Sequence, residues 1–127
     1  MPDLPKLHIV VLMGGWANER PVSLMSGAGI AKALEERGHR VTRIDMDRHV
    51  AARIAEAAPD VVFNALHGQI GEDGNVQGLL NIMNIPYTHS GLLASANAMD
   101  KVRAKRMFAE VGIAVPANLL LVEDSHV

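Results

Sequence analysis

The chain has no cysteine and very few aromatic residues: two Phe, one Tyr and one Trp among 127 residues. Without cysteine there can be no disulfide and no thiolate-held zinc, which fits a reducing compartment. Hydrophobic residues still make up 49% of the chain, so the core has to be assembled from Val, Leu, Ile, Ala and Met. No apolar run approaches the roughly 18 residues that a membrane span needs. The opening "MPDLPKLH" holds two prolines and charged residues and lacks the apolar stretch of a signal peptide. Neither sign of charge is in large excess. The formal net charge of -2 favours neither nucleic acid nor an anionic membrane as a partner. A soluble cytoplasmic protein is expected, and the length suits one domain.

What is present is a repeated alternation. "LHIVVLM" (7–13) is a continuous apolar run, β-branched at its centre and closed by Gly14-Gly15, the pattern of a strand buried on both faces. From Pro21 to Arg37 the period becomes helical, with Leu24, Gly27, Ile30, Ala31 and Leu34 on one arc and Gly38 placed as a C-terminal cap. "RVTRIDM" (40–46) reads as a second strand, "VAARIAEAA" (50–58) as a helix ended by Pro59, and "DVVFNAL" (60–66) as a third strand. A helix from about Asn75 to Met83 follows, then a short strand or extended piece in "IPYT" (85–88). Asp100 is placed to cap a last helix running to Val111 before Gly112. Leu119–Val122 reads as the beginning of another strand. Strands alternating with helices predict an α/β fold, a three-layer sandwich with a mainly parallel sheet.

In such sheets ligands gather beyond the carboxyl ends of the strands. Three glycine-bearing segments fall there: "GGWANER", "HGQIGEDG" and "SGLLASANAMDK", the last read as a loop. They point to one cleft lined by Glu19, His67 and the Asp100-Lys101 pair. Glu19 precedes Pro21 at a helix start, where a carboxylate could simply suit the helix dipole or could face a ligand ammonium. His67 ends an apolar strand, where a histidine is ordinarily a satisfied structural residue. Gly68, Gly71 and Gly74 leave its imidazole uncovered and let backbone N–H groups approach a ligand. Glu72 and Asp73 read as acids for the first turn of the next helix. In the run Lys101, Arg103, Lys105 and Arg106, only Lys101 borders the apolar face formed by Ala104, Met107, Phe108 and Val111. Lys101 is therefore expected near the protein body, suited to a phosphate. "SGAGIA" fails as a dinucleotide fingerprint, having no third glycine and lying inside a helix. No Walker loop, Gly-x-Ser-x-Gly elbow or complete metal site is encoded.

The segments "VLMGGWANERPVSLMSG", "NALHGQIGEDGNVQGLL", "IPYTHSG" and "ASANAMDK" resemble, in order and spacing, the N-terminal domain of D-alanine–D-alanine ligases. The "HGxxGEDGxxQG" block carries the most specific part of that likeness. The resemblance implies a Rossmann-like or flavodoxin-like pre-ATP-grasp domain over residues 1–112, with 113–127 beginning a central ATP-grasp domain that lies beyond this chain. It implies ATP-dependent joining of two D-alanines through an acyl phosphate for peptidoglycan, with Mg2+ held by residues outside this chain, and a homodimer. By the matching motif Glu19 would hold the first D-alanine's ammonium, Val22 would pack on that substrate, His67 would lie near its carboxylate and the transferred phosphate, and Lys101 would meet ATP phosphate. Pro21 stands where the family commonly has an acid, and His89 where it commonly has glycine. The rival expectation is a non-catalytic flavodoxin-like binding module.

Overall fold

The structure, a computed structural model, describes residues 5–121. Its elements run β1 (His8–Met13), α1 (Arg20–Glu36), β2 (Arg40–Asp45), α2 (Val50–Ala57), β3 (Val61–Asn64), α3 (Asn75–Ile82), α4 (Leu92–Met99) and α5 (Lys101–Glu110). The three strands are parallel in the order β2-β1-β3, with Ile9 facing Val41 on one side and Val61 on the other. The central strand is buried at every residue, as its unbroken apolar run requires.

Alternation along β1 divides the core in two. Ile9, Val11 and Met13 face one way and pack with Ala31 of α1, with Leu24, Ile30 and Leu34 around them. Val10 and Leu12 face the other way, against Ile54 of α2 and Val76 and Leu80 of α3. The result is the expected three layers: α1, the sheet, and α2 with α3. Gly38, at φ +83° one residue past the C-cap Arg37, stops α1 as its position predicts.

Four expectations change or narrow. Of the two readings of Ile85–Thr88 the strand fails and the extended piece remains, with a single parallel bridge between Tyr87 and Val62. Val62 N–H donates to the Pro86 carbonyl and Thr88 N–H to the Val62 carbonyl, but Pro86 has no N–H with which to extend a ladder. The segment read as a glycine-led loop is largely helix α4, which begins directly after Gly91. The end of α5 also departs from the amphipathic pattern. No residue of α5 is buried, and Met107 and Phe108 each remain 48% exposed. Residues 113–121 carry no regular element, so the strand expected from Leu119 is absent up to Leu121; Val122 lies outside the described residues. Among the described residues no helix is long and apolar enough to cross a membrane.

Candidate functional site

The carboxyl ends of β1 and β3 lie side by side, and a buried serine joins them. Ser23, in the first turns of α1, accepts from Gly14 N–H at 2.9 Å and donates to the Ala65 carbonyl at 2.7 Å. The hydroxyl is fully buried and uses both its donor and an acceptor. Removing it would leave two main-chain groups unpaired, at about 1–3 kcal/mol for such a group. The sequence reading missed this residue. Its signal was its place on the stripe of small residues, four before Gly27 and eight before Ala31.

Glu19 opens α1 but makes no side-chain capping bond. Its carboxylate lies instead against the α-carbon of Gly68, where an added Cβ would sit 2.6 Å from Glu19 Oε2. Gly68 also has φ +69°, a conformation that side chains with a Cβ resist. Glu19 and the His67 loop are therefore brought together across the strand ends. Val22, three residues on, is half exposed and open to a ligand.

The loop behind β3 is held mostly by its own side chains. Asn64 Nδ2 and Gln77 Nε2 both donate to the Gly71 carbonyl, each at 2.8 Å. Glu72 Oε2 accepts from Gly68 N–H at 2.6 Å and its Oε1 stands 4.0 Å from His67 Nδ1. Asp73 accepts from the N–H groups of Ile70 and Asn75. Burial pushes the Asp73 carboxyl up, but those donors outweigh it and hold it below the usual carboxylate range. These acids fasten the loop ahead of α3; neither lies in the helix's first turn. Gly71 likewise answers to packing, since a Cβ there would run into the side chain of Leu66. The glycines thus serve close internal approach, whereas the sequence suggested access for a ligand.

Behind His67 lies a cavity of about 300 Å³ between the β3 loop, α3 and α4, lined among others by His67, Glu72, Gln77, His89, Ser95 and Ala98. Two buried side-chain atoms among the described residues have no hydrogen-bond partner, His67 Nε2 and Gln77 Oε1, and both belong to residues of its lining. His89 takes φ +76°, and its Nε2–H donates to the Asn64 carbonyl at 2.9 Å. Its ring meets Phe63 edge-on at 5.7 Å.

At the mouth of the sheet Arg20 grips Asp45 through two bonds of 2.6 Å and donates to the Gly15 carbonyl. The bond to Arg20 is the main reason that the Asp45 carboxyl is held below its ordinary range. Trp16, half exposed, stacks with Arg48 at 5.4 Å. Lys101 does not line the cavity and is exposed at the start of α5. Asp100 occupies the donors of that helix end, accepting from Val102 and Arg103 N–H, so Lys101 has only its own charge to offer an anion. No group of three or more His, Asp or Glu among the described residues could hold a metal ion.

Fold and site together define a parallel α/β domain that presents a carboxylate and a histidine from adjacent strand ends. The family profile described as "D-ala D-ala ligase N-terminus" matches residues 49–90. The chain is 68% identical over 116 residues to a D-alanine–D-alanine ligase of Erythrobacter litoralis, covering 91% of this chain and 36% of the relative. It is 64% identical over 119 residues to one of Novosphingobium aromaticivorans, covering 94% of this chain and 38% of that relative. A crystal structure of D-alanine–D-alanine ligase from Bacillus anthracis complexed with ATP superposes with a TM-score of 0.79 at 32% identity, over 94% of this chain and 43% of that one. The chain belongs to the family of D-alanine–D-alanine ligase N-terminal regions. It spans little more than a third of the length of the curated relatives it matches.

Proposed function

We propose that the chain forms one wall of the active site of an ATP-dependent D-alanine–D-alanine ligase acting in the cytoplasm for peptidoglycan synthesis. In that reaction ATP phosphorylates the carboxylate of one D-alanine, and the amine of the second attacks the acyl phosphate and expels phosphate. The observation that carries the reading is the Glu19 carboxylate, free of any capping bond and pressed against Gly68 beside His67. A carboxylate so placed accepts from the ammonium of the first D-alanine, and Val22 offers that substrate an apolar contact. His67 adjoins the substrate carboxylate and the transferred phosphate. Lys101 supplies charge to ATP phosphate, where positioning and neutralisation carry catalysis. The described residues do not fit a magnesium site, so Mg2+ would be held by residues outside this chain. The same reading takes residues 1–112 as the substrate-binding domain, 113–127 as the start of a central domain, and a homodimer as the assembly.

The test is a chimera in which residues 7–121 replace the matching segment of the 68%-identical relative. ATP-dependent formation of D-alanyl-D-alanine is expected. Glu19→Gln in that chimera removes a charge-assisted bond of about 1.5–3 kcal/mol, so KM for the first D-alanine rises roughly ten- to hundredfold. A rise in KM for ATP alone would assign Glu19 to the wrong substrate. Lys101→Ala is expected to act in the opposite sense.

A further inference from the structure

The start of α1 lies across the ends of all three strands, and its side chains are tied to different ones. Ser23 bonds the main chain just after β1 and just after β3, at Gly14 and Ala65. Arg20 reaches the end of β2, where Nη1 and Nη2 donate to the two carboxylate oxygens of Asp45, each at 2.6 Å. Nη1 also donates to the Gly15 carbonyl at 2.9 Å, so the same guanidinium holds the turn that leaves β1. A Cβ on Gly14 would run into Asp45 Oδ1 and Arg20 Nη1, so the pair lies directly on that turn. Glu19, one residue earlier, sends its carboxylate the other way, against Gly68 behind β3. Neighbouring residues on a helix point about 100° apart, so a fixed Arg20 sets the bearing of Glu19.

A second ion pair separates this arrangement from ordinary surface attraction. Arg43 of β2 meets Glu35 at the far end of α1 at 2.8 Å, and its side chains are about as exposed as those of Arg20 and Asp45. Exposed pairs of this kind add little to stability, because water screens them and two long side chains must be ordered. Both pairs fasten α1 to β2, but only Arg20 also binds the turn beside Glu19. We propose that Arg20 and Asp45 are positioning residues for the Glu19 carboxylate, fixing the start of α1 so that Glu19 meets the substrate ammonium beside Gly68. The proposal rests on the reading of Glu19 as the ammonium acceptor. In this role neither Arg20 nor Asp45 touches substrate.

The chimera with the 68%-identical relative carries the kinetic test. Arg20→Lys keeps the charge but replaces the planar fork with a single ammonium. It is expected to raise KM for the first D-alanine about tenfold and leave KM for ATP in place, as small misplacements of a binding group can cost up to about a hundredfold. Asp45→Asn is expected to act in the same direction, and it decides if Arg20→Lys fails to fold. Arg43→Lys is the control and is expected to change neither constant. In a Glu19→Gln background Arg20→Lys is expected to add little, because the group it positions is already gone. Full additivity there would overturn the proposal. So would a KM that rises equally in Arg43→Lys, or that follows the melting temperature across the three variants, since the pair would then be structural only. A measurement without substrate keeps the two readings apart. In the 13C,15N-labelled chain the Gly68 signals are expected to shift with Arg20→Lys and to stay with Arg43→Lys. If the unsubstituted chimera is inactive, the ligase reading fails and the Gly68 signals still decide whether the pair positions Glu19. If the chimera is active and Arg20→Lys moves neither Gly68 nor KM, the proposal fails and the ligase reading stands.

Discussion

The loop from Asn64 to Gln77 and the helix α5 stand to the rest of the chain in opposite ways. In the loop, Asn64, Glu72, Asp73 and Gln77 all bond to main-chain groups of the same loop, and its ends are anchored in the core by Val62 and Leu80. In α5 the apolar stripe borders a cleft against α4, lined by Ala94, Ala98, Met107 and Phe108. A loop rich in glycine is thus the rigid region, and a helix with a regular apolar face is the loosely held one. Order in this domain follows hydrogen-bond closure and burial more than regularity of secondary structure.

The sharpest way to break this contrast is at the anchor of the loop. Leu80→Ala, at a fully buried residue, is expected to cost about 2–5 kcal/mol in denaturant unfolding. If it cost no more than a surface substitution, the loop would not depend on the core. Next in size is Ser23→Ala, expected to lose about 1–3 kcal/mol by unpairing Gly14 N–H and the Ala65 carbonyl. It also tests whether the two strand ends are tied, since hydrogen exchange at Gly14 is expected to rise before exchange at Val10 does.

Most of the architecture was legible because the periods were clean. The unbroken run in β1 demanded burial on both sides, and the helical arc of α1 ended at a glycine. Helix α4 was not legible, since "LLASANAM" mixes Ser and Asn with small residues, follows a glycine and shows no clear apolar period. The glycines near His67 were visible but were assigned to ligand access, because a sequence does not reveal that Gly71 must clear Leu66 or that Gly68 must clear Glu19. Gln77 escaped notice for a related reason. Its side chain is buried among apolar neighbours by a bond to a carbonyl six residues back, which no local pattern announces.

A smaller effect is expected with pH. Asp45 and Asp73 both have folded pKa values below the ordinary carboxylate range, so they contribute stability above that range and lose it as pH falls through their folded values. The melting temperature is therefore expected to hold at neutral pH and to fall in acid. Asp45→Asn is expected to flatten part of that fall while lowering stability slightly at neutral pH. A melting temperature that rises on acidification would contradict the sign. The smallest effect belongs to the other half of the comparison. Phe108→Ser on the half-exposed face of α5 is expected to change stability by less than about 1 kcal/mol, and a cost like that of Leu80→Ala would show that α5 is built into the body after all.

The scarcity of aromatics gives the domain an unusual optical property. Its single tryptophan, Trp16, sits outside the core at the mouth of the strand ends, stacked on the Arg48 guanidinium. Ultraviolet emission is therefore a local gauge of the rim around Glu19 and Asp45, and it has little to say about the packing of the sheet. Quenching or a spectral shift on adding a ligand would report occupancy there without any label. A melt followed by emission would register the loosening of that rim, and circular dichroism would be needed to see the sheet itself give way.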